Sequence, residues 1–143
     1  MIAILAAASA ISQQSLVDQI SSDRMMASIN KLVSFGTRNT NSDGLTKACE
    51  WVASELETIP GLEVELMKYP VTANRRIVED KEVVQVVAVL PGRTDRRILI
   101  GGHIDSLNIG VDPKTGFAPG ANDDASGVAV SMDLARVFAQ REW

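Results

Sequence analysis

The only histidine of the chain, His103, lies in the stretch GGHIDS and is followed two residues later by Asp105. One nitrogen of a neutral imidazole can bind a transition metal. A carboxylate can hold the N–H of the other nitrogen, which fixes the tautomer and the orientation of the ring. An exposed histidine that happens to precede an aspartate is the ordinary alternative. The pair therefore predicts a metal site only together with further candidate ligands.

A second cluster of polar residues follows in the stretch PGANDDASG. Acidic residues and serine often cap a helix and favour its positive end, which is one interpretation of this cluster. Capping needs one side chain, however, and the stretch supplies four, namely Asn122, Asp123, Asp124 and Ser126. Carboxylate oxygens are also good metal ligands, and one carboxylate can bridge two ions. The cluster is therefore a second candidate for metal binding.

The elements that must position these residues follow from hydrophobic spacing. Helical periodicity predicts helices over 15–33, with an internal N-cap at Ser22 or Asp23, over 43–56 and over 125–140. Apolar runs predict strands over 62–69, 83–90 and 96–102, of which the last two are expected to be buried. This order favours an α/β layered fold, with a mixed, mostly parallel sheet and helices on both faces. His103 and Asp105 would project together from the carboxyl edge of the third strand, where such sheets bind ligands.

Composition bounds the class of protein. The chain has 143 residues, is 45% hydrophobic and carries a formal net charge of −4, which suits one small domain or a piece of a larger one. There is no basic stripe, so we expect no nucleic-acid partner. No segment is long and apolar enough to predict a membrane span. The single cysteine, Cys49, is expected to be a small buried thiol.

The N-terminal stretch MIAILAAASA is apolar and ends in small residues, but no basic segment precedes it. It is interpreted either as a short export signal or as an apolar helical lead-in. We therefore divide the chain into a leader at 1–14 and a domain at 15–143. The leader favours an extracellular or periplasmic location, with the cytoplasm as the alternative.

The combined motifs resemble a known family. GGHIDS and APGANDDASGVAV, preceded by LVSFGTRNTNSDG and VVAVLPG, are similar to the N-terminal part of the catalytic domain of the co-catalytic zinc aminopeptidases. This group contains the bacterial leucyl aminopeptidases, with glutamate carboxypeptidase and transferrin receptor as more distant relatives. The resemblance begins near Ile20 and runs in family order. Gln85 stands where the family often carries asparagine.

The resemblance implies a role for each matching residue. His103 would bind one of two zinc ions, Asp123 would bridge both, and Asp105 would lie behind His103 as the catalytic aspartate. The peptide bond between Asp123 and Asp124 is expected to be cis. The implied reaction is hydrolysis of the N-terminal peptide bond of peptides with a free N-terminus. A glutaminyl cyclase or carboxypeptidase on the same fold, and a non-catalytic interaction domain, are the alternatives.

Several parts of the family's site have no counterpart in the sequence. The chain has no second histidine and no Glu-Glu dipeptide, which in the family supplies the general base and a further metal ligand. We therefore expect a catalytic domain truncated at its C-terminus, a polypeptide that is inactive alone, and zinc binding that is weak or absent. An unpaired sheet edge is also expected, and it would favour self-association.

Overall fold

A computed structural model of the chain describes residues 13–143, so the predicted leader at 1–14 lies almost wholly outside the described residues. In chain order the elements are α1 (Gln13–Val17), α2 (Ser22–Val33), α3 (Asp43–Glu57), β1 (Glu63–Val71), β2 (Lys81–Val89) and α4 (Ser126–Phe138). Residues 121–125 form an irregular helical turn that leads into α4. Among the described residues, no helix has the length and apolar character needed to cross a bilayer.

The helices agree with the predicted periodicity. The break in the first helical region is confirmed, and its N-cap is Ser21, whose hydroxyl accepts a hydrogen bond from the N–H of Arg24. The predicted caps Ser22 and Asp23 are the first two residues of α2. α3 begins at Asp43, as predicted. Its apolar face is fully or largely buried and consists of Leu45, Ala48, Cys49, Val52, Ala53 and Leu56.

The core lies between the helices and one face of the sheet. Its buried members come from α2, α3, α4 and the segments next to them, namely Leu32, Ala48, Val52, Leu56, Ile59, Ala125, Val128 and Met132. Partly buried side chains of β1 and β2, among them Val64 and Val86, pack against this cluster. α4 therefore begins directly from the core, since Ala125 is fully buried and the acidic pair immediately precedes it.

The sheet within residues 13–143 consists of two antiparallel strands, β1 and β2. Their register runs from Glu63 opposite Val89 to Val71 opposite Lys81. The prediction that the second strand is covered on both faces is wrong, because Gln85 is exposed and Val89 is 50% exposed. The parallel strand pairing expected for most of the sheet is reduced here to a single bridge between Thr37 and Ala118.

The third predicted strand does not form. Residues 96–102 have no strand pairing, and Ile98 and Leu99 are 90% and 98% exposed. The physical reason is that an extended segment becomes a strand only when a neighbour supplies backbone hydrogen bonds. The apolar composition of this segment could predict a strand only if such a neighbour lay beside it. Among the described residues no neighbour does, so the prediction is wrong. His103 therefore follows an exposed extended segment.

A buried carboxylate ties α2 to α4. Asp133 of α4 is almost fully buried and accepts hydrogen bonds from Arg24 Nε at 2.6 Å and from the N–H of Ser21 at 2.9 Å. The side chain of Arg24 is about half exposed. This ion pair holds the start of α2 against α4.

Candidate metal centre

Gly102, just before His103, and Gly127, in the first turn of α4, lie where the histidine segment approaches the start of this helix. A Cβ atom on Gly102 would lie 2.7 Å from the carbonyl carbon of Gly127 and 2.7 Å from the backbone nitrogen of Val128. Real Cβ atoms do not come so close to backbone, so only glycine fits without displacing one of the two segments. This contact places His103, one residue later, beside the turn that carries the acidic pair.

Asp124 joins these two segments by hydrogen bonds. Its carboxylate accepts the N–H of His103 at 3.2 Å through Oδ2 and the N–H of Gly127 at 3.0 Å through Oδ1. The bond to Gly127 is of the kind expected for an acidic residue at a helix start, which supports the capping interpretation for this residue. The bond to His103 was not predicted. In the sequence, only the glycines at 102 and 127 indicated that the histidine segment and the start of α4 approach so closely.

The three residues predicted to form the site lie together. His103 Nε2 is 2.9 Å from Asp123 Oδ1, and His103 Nδ1 is 3.1 Å from Asp105 Oδ1. The backbone carbonyl of Asp105 also lies 3.2 Å from Nδ1. Asp123 is 90% exposed, and the imidazole and Asp105 are each about half exposed. The imidazole is thus held between two carboxylates, one of which opens to solvent.

The charges around His103 favour a cation at its ring. Partial burial lowers the pKa of His103, but the negative charge of Asp105 and hydrogen bonds to Asp105 and Asp123 raise it, and the net pKa lies above the ordinary value. Two carboxylates facing the two ring nitrogens are satisfied when both nitrogens carry protons. They would also be satisfied if Nδ1–H donated to Asp105 while Nε2 and Asp123 held a metal ion.

The backbone of the acidic pair has the conformation that the resemblance implied. The peptide bond between Asp123 and Asp124 is cis, and it is a non-proline bond. The two residues have φ angles of −121° and −133° and interrupt the helical geometry of the turn. The predicted cis peptide is therefore confirmed.

The donor types fit zinc, but the set is incomplete. An imidazole nitrogen and a carboxylate oxygen are normal zinc ligands, and catalytic zinc takes three protein ligands and a water. Within residues 13–143, no group of three or more His, Cys, Asp and Glu side chains is arranged to hold a metal ion. His103 and Asp123 are therefore candidates for an incomplete ligand set, with Asp105 on the other side of the imidazole.

Comparison of the sequence with known proteins agrees with the motifs. Residues 85–143, which contain His103, Asp105 and the acidic pair, match Peptidase family M28. A probable zinc metalloprotease of Pyrenophora tritici-repentis is 42% identical over 142 residues, covering 88% of this chain and 32% of the relative. Leucine aminopeptidase 1 of Ajellomyces capsulatus is 28% identical over 133 residues, covering 89% of this chain and 32% of the relative. The chain thus spans about a third of the length of these relatives.

Solved structures share the fold. LapB from Legionella pneumophila matches with a TM-score of 0.63 and 28% identity over 89% of this chain and 32% of that chain. A leucine aminopeptidase precursor from Bacteroides thetaiotaomicron matches with a TM-score of 0.70 and 21% identity over 86% of this chain and 43% of that chain. A Tannerella forsythia glutaminyl cyclase matches with a TM-score of 0.69 and 22% identity over the same shares. The last two likenesses show the fold alone, and they confirm the predicted α/β class.

The motifs, the geometry around His103 and the sequence matches lead to one conclusion: residues 85–143 match peptidase family M28, and 88% of the chain is similar to a probable zinc metalloprotease.

Proposed function

We propose that the protein is the N-terminal part of a zinc-dependent aminopeptidase that hydrolyses N-terminal peptide bonds at a site with two zinc ions. The observation that carries the proposal is the position of the only imidazole, 2.9 Å from Asp123 and 3.1 Å from Asp105. The names of two relatives, a probable zinc metalloprotease and a leucine aminopeptidase, support the metal and the reaction class.

Each residue of the site has a distinct part in the proposed reaction. His103, through Nε2, and Asp123, whose carboxylate is open to solvent, would hold the zinc. Asp105 accepts a hydrogen bond from Nδ1–H, which would keep the Nε2 lone pair free for the metal and raise its basicity. When bound, zinc polarises the scissile carbonyl and lowers the pKa of a bound water. Peptides with a free N-terminus are the proposed substrates.

The complete reaction needs groups that residues 13–143 do not place at this site. A general base must take the proton of the attacking water, and further ligands must complete both metal ions. The relatives are about three times as long as this chain, so they have room for these groups. We therefore propose that the 143-residue chain alone is inactive and binds zinc weakly.

The central experiment combines metal content with hydrolysis of aminoacyl-nitroanilides by the full-length protein. Chelation should abolish hydrolysis, and added zinc should restore it. Asp105→Asn should lower the rate while zinc content is kept, whereas Asp123→Ala should lose both. Asp95→Ala, at an exposed aspartate outside the site, is the matched control and should change neither.

Three results would contradict the proposal. Equal zinc content in Asp123→Ala and the parent would exclude the bridging role. Cyclisation of N-terminal glutamine peptides without release of N-terminal residues would assign the site to the glutaminyl cyclase reaction. Two tight zinc ions on the isolated 143-residue chain, measured by calorimetry, would contradict the incomplete ligand set.

We also propose that the protein is exported and that the chain self-associates. The apolar leader supports an extracellular or periplasmic location, and the exposed Ile98, Leu99 and Ile100 support association through this edge. N-terminal sequencing of the secreted protein tests export, because a signal would be removed. Sedimentation of the parent beside Leu99→Ser tests association, and a monomeric parent would contradict it.

A further inference from the structure

The segment GTRNTNSDG contains an arginine that the proposed reaction does not use. Arg38 is fully buried, and its guanidinium donates hydrogen bonds to four backbone carbonyls. Nε donates to Ile104 at 2.7 Å, Nη1 to Leu32 at 3.0 Å and to Pro119 at 2.7 Å, and Nη2 to Gly120 at 3.0 Å. Among the described residues, no carboxylate lies within ion-pair distance of this guanidinium, so its charge is compensated mainly by carbonyl dipoles.

The four carbonyls belong to the two segments that form the candidate metal centre and to the helix behind them. Ile104 lies between His103 and Asp105 in the sequence. Pro119 and Gly120 begin the turn that carries Asp123, and the fourth carbonyl is near the end of α2. One rigid side chain therefore touches the backbone on both sides of the pair formed by His103 and Asp123.

The surroundings of Arg38 leave this geometry little freedom. Ser106 Oγ accepts the N–H of Arg38 at 2.9 Å and donates to the carbonyl of Ala118 at 2.6 Å. Gly120 has a φ of +50°, and a Cβ atom there would lie 2.6 Å from Ser106 Cβ and 2.9 Å from Arg38 Nη2. The same two segments are thus held by the guanidinium, by a buried hydroxyl and by a glycine that leaves room for both.

Burying an arginine costs free energy that an apolar side chain in the same part of the core would not cost. Removing its charge from water must be offset by well-placed acceptors, and an apolar side chain of similar volume fills a core without that requirement. Burial lowers the pKa of Arg38, while the negative charge of Asp105 raises it. The arginine lies where four carbonyls from three segments converge beside the candidate metal centre.

We propose that Arg38 is a positioning residue of the metal centre, which sets the separation of His103 Nε2 and Asp123 Oδ1 by holding the backbone on both sides. It touches neither the metal nor the substrate. The inference rests on the proposed function, because the atoms that it positions are the proposed zinc ligands.

The single histidine makes the test direct. In ¹⁵N spectra at one fixed pH, the two ring nitrogens of His103 give the only imidazole signals of the chain, and these signals report the tautomer and the ring's hydrogen bonds. Titration with zinc chloride then reports metal binding at the same atoms, even when binding is weak. Arg38→Ala should shift both ring signals and weaken the zinc response at least tenfold. Guanidinium ion, which fills the space left by the side chain, should partly restore both.

Arg24→Ala is the matched control. It removes another arginine, in the first turn of α2, and leaves the buried Asp133 of α4 without its ion partner, so it also destabilises the fold. It should leave the ring signals and the zinc response of His103 unchanged. Ring signals and zinc response in Arg38→Ala that equal those of Arg24→Ala would overturn the positioning role.

A second variant covers the case in which Arg38→Ala does not fold. Arg38→Lys keeps the charge, but one ammonium group cannot reach four carbonyls that a planar guanidinium spans. It should give ring signals displaced from those of the parent, and unchanged signals with an unchanged zinc response would overturn the proposal. Failure of the proposed function has a different signature, because the parent's ring signals would then not respond to zinc at all.

Discussion

Leu32 and Leu99 have opposite environments. Leu32 belongs to a helical pattern over 15–33, and Leu99 belongs to an apolar run from which a buried strand was predicted. Leu32 ends fully buried between α2, α3 and α4, whereas Leu99 is 98% exposed in a segment without strand pairing. The difference teaches that the hydrophobicity of a run predicts burial only when a second element supplies the opposing surface. The helices meet that condition through one another, and the segment before His103 does not.

The sharpest test of this comparison is the same substitution on both sides. Leu32→Ala should lower the free energy of unfolding by about 2–5 kcal/mol, because it opens a cavity among packed helices. Leu99→Ala should change it by less than about 0.5 kcal/mol, since this side chain makes little contact in the described structure. Urea denaturation followed by circular dichroism measures both. Similar losses for the two variants would mean that Leu99 is covered in solution.

Gly101 and Gly102 are adjacent, and they allow the same comparison between an open and a packed position with a single added Cβ atom. Gly102→Ala should lower the free energy of unfolding by about 1–3 kcal/mol, because its Cβ would meet the backbone of Gly127 and Val128. Gly101→Ala should be nearly neutral, since nothing lies within 4 Å of a Cβ there. Denaturation midpoints test the stability, and the ring signals of His103 should move only in the Gly102 variant. A neutral Gly102→Ala would show that the two segments separate easily.

The same contrast explains which parts of the molecule the sequence could predict. The helices depend on local spacing, and α3 shows this, because Leu45, Ala48, Val52 and Leu56 share one face and are buried as expected. The pairing of His103 with Asp105 is also local. Its approach to Asp123 required the resemblance, because twenty residues separate them and no local pattern dictates their contact.

What the sequence could not predict depends on contacts between distant segments. The strand over 96–102 needed a neighbour that its own residues do not specify. Arg38 stands in a polar stretch, and nothing in GTRNTNSDG indicates that four distant carbonyls converge on its guanidinium. Asp124 was grouped with the helix cap, although it also holds the backbone of His103.

The acidic pair allows the same comparison between a packed and an exposed side chain, with a smaller expected change in stability. Asp124→Asn should lower the free energy of unfolding by about 1 kcal/mol, because the amide nitrogen would face one of the two N–H groups that the carboxylate now accepts. Asp123→Asn should leave stability nearly unchanged, because this side chain is 90% exposed. Thermal denaturation of the two isosteric variants makes the measurement. Equal losses would assign Asp123 a structural role that its exposure does not indicate.

The smallest expected effect at neutral pH concerns Cys49, on the packed side of the comparison. The thiol is fully buried on α3, as predicted, and lies 3.4 Å from the carbonyl of Val84. Burial, with a contribution from the charge of Glu50, raises the pKa of Cys49 from 9.0 to about 11. Iodoacetamide reacts with the thiolate, so alkylation at pH 9 should be much slower in the folded chain than in urea.

The raised pKa also fixes the direction of a pH effect. Between about pH 9 and 11 the unfolded chain loses the thiol proton more readily than the folded chain, so the stability that the protonated thiol contributes is present below this window and is lost across it. Other groups titrate in the same range, and Cys49→Ser therefore serves as the control whose stability should fall less steeply. If the folded chain is alkylated as fast as the unfolded chain, the face of α3 that carries Cys49 opens readily. This face would then resemble the exposed segment 96–102 and not the packed core.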